Sequence, residues 1–240
     1  MDVETSDIVA IDGPAGAGKS TVARIVAQRL GYAYLDTGAM YRAVTLRVMK
    51  KGIDWNNRQA IVDCARTMDL RLEPGEKGMR VWLDGEDVTE AIRTPDVTKN
   101  IYRVDEIPEV RAHLVELQRD FGKRYPTVAE GRDMGTIVFP RAKCKIFLDA
   151  SLDERTKRRA KELAAKGVEV DFKQLRKEIQ ERDEKNRNRA ASPLKPAEDA
   201  VYLDSSSLTV DEVVSSILAL ARKAGLSIAH PPSNTSHSVM

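Results

Sequence analysis

The chain has 240 residues, 42% apolar and 32% charged, enough apolar matter to fill the core of one sizeable α/β domain, which excludes disorder throughout. Basic and acidic residues number 39 and 37, for a net charge of +2, so no global field draws in nucleic acid and any basic function must be local. The two cysteines, Cys64 and Cys144, lie far apart with no CxxC or Cys/His pattern, which excludes a disulfide framework and a zinc site and suits a reducing cytosol.

The opening "MDVETSD" has no basic region followed by an apolar stretch, and no run approaches the roughly 18 apolar residues of a membrane span. The expectation is a soluble, cytoplasmic protein with no membrane contact. The apolar run Ile8–Ile11 predicts the first strand and Gly18–Leu30 the first helix. A strand at Tyr32–Leu35 and helices over Ala39–Lys51 and Asn57–Met68 follow. Between Asp69 and Ile92 the pattern changes to alternating runs around a Pro/Gly turn and then Asp84-Gly85, which is antiparallel material and predicts an inserted subdomain. Helix Glu109–Arg124, strands Thr127–Ala129 and Lys145–Leu148, and helices Leu152–Lys166 and Asp171–Arg189 come next. Strand Ala200–Leu203 precedes the last helix, Val210–Ala224, whose Thr209 and Glu212 have capping-box spacing. The remainder, 225–240, lacks periodicity and predicts a disordered tail. Alternating strands and helices, with strands apolar throughout, predict a doubly wound parallel sheet whose ligands sit beyond the carboxyl ends of the strands.

Four of those ends carry candidates: "DGPAGAGKS", "DTGAMYR", "EGRDMG" and "DAS". The first satisfies GxxxxGK[ST] between a strand and a helix, the context a phosphate-binding loop requires. Its glycines allow the amides to turn inward, the helix N-terminus adds partial positive charge, Lys19 supplies a point charge and Ser20 a Mg2+ ligand. No Asn-Lys-x-Asp or DxxG spacing supports a GTPase, and "IFLDAS" lacks the paired acids of a motor ATPase. Arginines elsewhere indicate a second phosphate site: Arg42, Arg111, Arg132, Arg155, Arg158, Arg159, Arg182, Arg187 and Arg189. Arg182, Asn186 and Arg189 share one helix face, and Arg132 follows a strand end toward the ligand crevice. Arg158, Arg187 and Lys177 read as solvated surface, with Asp183/Arg187 and Asp153/Lys157 as ordinary i,i+4 pairs. Asp36 has two readings: holding a Mg2+ water, or capping the next helix.

The strings "DTGAMYRAVT" (Asp36–Thr45), "EGRDMGTIVFP" (Glu130–Pro140), "KIFLDAS" (Lys145–Ser151) and "RDEKNRNRAASPLKPAEDA" (Arg182–Ala200), in order behind the phosphate loop, together resemble the bacterial cytidylate kinases. The resemblance runs from about Ser6 to Ala224. It implies a three-layer α/β P-loop kinase fold with a five-stranded parallel sheet, an inserted monophosphate-binding subdomain with a small antiparallel sheet, and a helical lid. The core would be about 6–36, 125–150 and 198–224, the subdomain about 37–124 and the lid about 152–190. The implied reaction moves the ATP γ-phosphoryl group to CMP or dCMP with Mg2+. A monomer is the default expectation, and no nucleic-acid partner is expected.

Residue by residue, the resemblance assigns Gly13, Pro14, Ala15, Gly16, Ala17, Gly18, Lys19, Ser20 and Thr21 to ATP. Thr37, Tyr41 and Arg42 lie beside the acceptor, Arg111 and Asp133 read cytosine, and Arg132 binds the acceptor phosphate. Arg182 and Arg189 close on the phosphates from the lid, with Arg155 and Arg159 near ATP. Three positions depart from the family pattern: Tyr102 stands where many members have serine, Asn186 where they have aspartate, and Glu130 for a commoner aspartate. Preference among CMP, dCMP and UMP is left open. An already anionic acceptor needs no protein base, in keeping with histidines only at His113, His230 and His237. A kinase for another small acceptor, a nucleic-acid-binding ATPase using Arg155–Arg189, and a non-enzymatic scaffold are the competing readings.

Overall fold

Every residue of β1 (Ile8–Asp12) is buried, and its side chains alternate between two cores: Ile8 and Ala10 face one apolar cluster, Val9 and Ile11 the other. Such a strand belongs inside a sheet with helices on both faces. The computed structural model, which describes residues 7–75, 78–165, 167–228 and 238–239, has that architecture. After β1 come α1 (Lys19–Leu30), β2 (Ala33–Asp36), α2 (Thr37–Lys50) and α3 (Arg58–Arg66). The antiparallel insert is β3 (Leu70–Gly75), β4 (Gly78–Leu83) and β5 (Glu86–Asp87). Two short helices, α4 (Pro95–Asn100) and α5 (Tyr102–Asp105), lead to α6 (Pro108–Arg124). Then follow β6 (Thr127–Gly131), β7 (Cys144–Asp149), α7 (Leu152–Ala164), α8 (Phe172–Asn188), β8 (Val201–Asp204), α9 (Val210–Lys223) and β9 (Ser238–Val239).

The five parallel strands run in the order β2-β6-β1-β7-β8. Asp12 is level with Gly131, and Asp36 with Glu130, so the carboxyl ends of β1, β2 and β6 deliver their loops to one rim. Helices α1 and α9 pack on one face of the sheet; α2, α3 and α6 pack on the other, together with the insert. The last helix carries the expected capping box between Thr209 and Glu212. The antiparallel strands run β5-β4-β3, with Arg71 opposite Trp82 and Glu73 opposite Arg80. In the C-terminal stretch Leu226 is buried, β9 pairs antiparallel with Leu70 and Arg71, and 229–237 and 240 lie outside the described residues.

Two differences from the sequence-based elements bear on function. The stretch before α6 folds into α4 and α5, where no helix is predicted: Pro95 and Pro108 cut the helical signal into pieces too short to show a period. After β6, Met134–Val138 forms a single π-turn that aims the Met134 and Gly135 amides back at Asp12.

Candidate active site

The glycine loop is shaped by its surroundings. Gly13 has φ +152, and a Cβ there would lie 1.9 Å from the Leu148 carbonyl oxygen, so no other residue fits between β1 and β7. Gly18, left-handed at φ 88, turns the chain into α1. Asp12 anchors the loop's base: its two carboxylate oxygens accept the Met134 and Gly135 N–H groups at 2.8 Å each. Burial outweighs those bonds and raises the Asp12 carboxyl to about 6. Lys19 is buried and donates to the Pro14 carbonyl at 2.7 Å. Burial, then repulsion by Arg132, presses its ammonium below the usual lysine range, a penalty that a polyphosphate would relieve.

Ser20 donates from Oγ to Glu130 Oε1 at 2.5 Å, and the Tyr34 hydroxyl donates to the same oxygen at 3.2 Å. Glu130 is buried, and burial followed by the neighbouring Asp36 carboxylate raises its carboxyl. Asp36 caps α2, Oδ1 accepting the Ala39 N–H at 3.0 Å, while Oδ2 pairs with Arg93 at 3.3 Å. Of its two sequence readings, the cap is visible in the geometry. The Thr37 hydroxyl donates to the Glu130 carbonyl at 2.7 Å, closing the wall between β2 and β6.

Facing the loop is a set of cations drawn from separate elements. Burial depresses the Arg182 guanidinium, with Arg132 and Arg42 next, and Arg159 adds to them. Burial likewise depresses Arg42, which feels Arg93, Arg132 and Arg159 and donates to Thr98 Oγ1 at 2.9 Å. Deeper in the pocket Arg111 pairs with Asp133, both buried, and its guanidinium lies 5.2 Å from the Tyr41 ring centroid. Arg189 ends α8, donates from Nε to the Ser192 carbonyl at 2.5 Å, and leaves Nη2 buried without a partner among the described residues. The Tyr41 hydroxyl and Arg111 Nε are also buried and unpartnered there. Three idle donors in one pocket mark room for a ligand rich in acceptors.

Several sequence expectations need correction. Arg155, assigned to ATP, is buried and donates to the Ala150 and Ala15 carbonyls and, at 2.5 Å, to Asp183, which also accepts the Ala15 N–H. It ties the loop to the lid from behind and does not face the cleft. Arg158, read as surface, donates to the Ala17 carbonyl at 3.3 Å and the Ser205 carbonyl at 2.6 Å. Asp183 and Asp153 do not take their i,i+4 partners: α7 and α8 pack as a hairpin, so Asp183 bonds Arg155 and Asp153 bonds Arg176 across it. Asn186, grouped with the lid arginines, is buried and donates to the Arg182 carbonyl at 2.9 Å within its own helix. Arg159 sits at the rim, 2.9 Å from Glu162. Thr21 is exposed at the start of α1.

Sequence reasoning missed Asp12, Tyr34 and Asp105, and quoted Glu130 only as a substitution. Glu130 was findable, as an acid closing a strand beside the phosphate loop. Asp105 was not: burial raises its carboxyl while Arg189, Arg111, Arg182 and Arg132 pull it down, a setting created wholly by tertiary contacts.

A phosphate loop at a parallel sheet's carboxyl rim, with arginines gathered opposite it, marks a kinase of the P-loop nucleotide-binding fold. The family model described as cytidylate kinase matches residues 9–223. Cytidylate kinase of Desulforamulus reducens is 53% identical over 215 residues, covering 90% of this chain and 96% of that protein. Cytidylate kinase of Exiguobacterium sibiricum is 48% identical, covering 90% and 97%, and cytidylate kinase 1 of Haemophilus influenzae 44%, covering 92% and 95%. The chain belongs to the cytidylate kinase family.

Proposed function

We propose that this protein transfers the γ-phosphoryl group of ATP to CMP or dCMP, giving ADP and the diphosphate. The loop Gly13–Gly18, through the N–H groups of its residues other than Pro14, binds the donor with Lys19 and Thr21. Arg132, Arg42, Arg182 and Arg189 bind and neutralise the acceptor phosphate, while Arg111, Asp133, Tyr41 and Thr37 line the base side. The acceptor is a phosphate dianion with a second pKa near 6, so its oxygen attacks the γ-phosphorus without a protein base. The bond to the β-γ bridging oxygen breaks, and ADP leaves with that oxygen. Alignment and charge neutralisation by the cations carry the catalysis.

The donor set suits Mg2+: the Ser20 hydroxyl, Glu130 and Asp36 place hard oxygen atoms beside the phosphate loop, the ligand type this ion prefers. Among the described residues no group of three or more His, Cys, Asp or Glu side chains is arranged to hold a metal alone, so Mg2+ would share its ligands with substrate phosphates and water. When bound, the ion draws charge from the transferring group. No helix among the described residues is long and apolar enough to cross a membrane.

The observation that carries this reading is the convergence on one cleft of buried Lys19 from the phosphate loop with Arg42, Arg132 and Arg182 from separate elements, beside the buried, unpartnered donors of Tyr41, Arg111 and Arg189, a setting that suits polyanionic ligands. ADP production from ATP and Mg2+ with CMP, dCMP, UMP, AMP and GMP side by side tests it. Turnover should be fastest with CMP and dCMP, and a preference for AMP or GMP would overturn it.

A further inference from the structure

The lid helix α8 carries Arg182 and Arg189 into the cleft, so whatever keeps α8 against the inserted subdomain also keeps those arginines in place. From the subdomain, the Asp105 carboxylate on α5 attracts the Arg182 and Arg189 guanidiniums. A second link is a direct contact: the Lys185 ammonium lies 4.7 Å from the centroid of the Tyr102 ring on α5. The same ring is braced from its own side by Arg103, whose guanidinium is 5.3 Å from Tyr102 and 5.6 Å from the Trp55 ring. Tyr102 is half-buried, Lys185 exposed, and Lys185 stands three residues from Arg182 and four from Arg189 on the helix or at its cap.

We infer that Tyr102 and Lys185 form a latch that favours the closed lid, making both positioning residues for the reaction proposed above. The inference rests on that reaction for its kinetic consequence but not for its structural one. A cation over an aromatic face needs the ring and not the hydroxyl, so Tyr102→Phe should preserve the latch and Tyr102→Ala abolish it. A role for Tyr102 as a hydrogen-bonding neighbour of the base would fail in both variants.

The test uses the full chain. Hydrogen exchange of the α8 amides, measured without nucleotide, should accelerate about two- to five-fold in Tyr102→Ala and in Lys185→Gln, the population shift an exposed ring–ammonium contact supports. Tyr102→Phe should match the unmodified protein, and adding Tyr102→Ala to Lys185→Gln should bring no further change. Kinetically, Lys185→Gln should raise KM for CMP by a similar factor with little change in kcat. Unchanged exchange in both Tyr102→Ala and Lys185→Gln, or a Tyr102→Phe variant that behaves like Tyr102→Ala, overturns the latch. Absent CMP turnover in the unmodified protein overturns the reaction instead and leaves the exchange result to decide the latch.

Discussion

Lys19 shows what a phosphate site costs an unliganded protein. Its ammonium is buried, pointed at a carbonyl, and repelled by Arg132, so folding lowers its proton affinity. Between the lowered folded value and the ordinary lysine value near 10.5, the unfolded chain holds the proton and the folded chain does not. Stability of the ligand-free protein therefore rises with pH across that window. Lys19→Met removes this slope, so its advantage over the unmodified protein should shrink toward alkaline pH by up to about 1.4 kcal/mol per unit. Urea unfolding at pH 7.5 and 9.5 measures it, and a pH-independent difference would contradict the desolvation argument. Asp36 allows a second dissection. Asparagine caps helices as well as aspartate, so Asp36→Asn should keep the unfolding midpoint while Asp36→Ala loses about 1 kcal/mol. Turnover should fall in both if the carboxylate holds a metal-bound water; full turnover in Asp36→Asn would restrict the residue to capping.

At the scale of elements, the lid hairpin is fastened to the phosphate loop by the buried Arg155–Asp183 pair. Truncating one partner strands the other charge away from water, so Arg155→Ala should cost about 3–5 kcal/mol of unfolding free energy. A combined Arg155→Met and Asp183→Leu variant should regain most of that loss, since replacing both charges removes the desolvation penalty together with the attraction. If Arg155→Ala instead left stability intact and raised only the KM for ATP, the residue would be a nucleotide contact after all. Arg155 also marks where sequence reading stops. The strands, long helices and antiparallel insert were legible because each has its own period or turn residues, and the loop was legible because its glycines, lysine and serine are contiguous. The partners of Asp153 and Asp183 were not, because helical spacing offers each an i,i+4 neighbour while the packing of α7 on α8 supplies Arg176 and Arg155 instead. Similarly, Asp105 comes to the arginine cluster on α5, a four-residue helix with no period of its own.

For the molecule as a whole, the net charge of +2 conceals a local gathering: cations from α1, α2, the segment after β6, α7 and α8 converge on one cleft. The ligand-free protein thus carries repulsion that its acceptor would relieve, and ligand binding should appear as a gain in stability. CMP at one hundred times its Kd adds about 2.7 kcal/mol, or roughly 5–11 °C in the melting midpoint for a chain of this size. Sodium phosphate should raise the midpoint in the same direction, whereas sodium chloride at equal ionic strength, which screens without bridging, should do less. Arg132→Ala separates binding from folding, because among the described residues the cation it deletes hydrogen-bonds only the adjacent Gly131 carbonyl, at 3.2 Å. Its ligand-free midpoint should equal or exceed that of the unmodified protein, its CMP-induced shift should shrink, and its turnover should drop at least about ten-fold, as expected for losing one charge-assisted contact of roughly 1.5–3 kcal/mol. A midpoint well below that of the unmodified protein would show that Arg132 supports the fold rather than waiting for an anion.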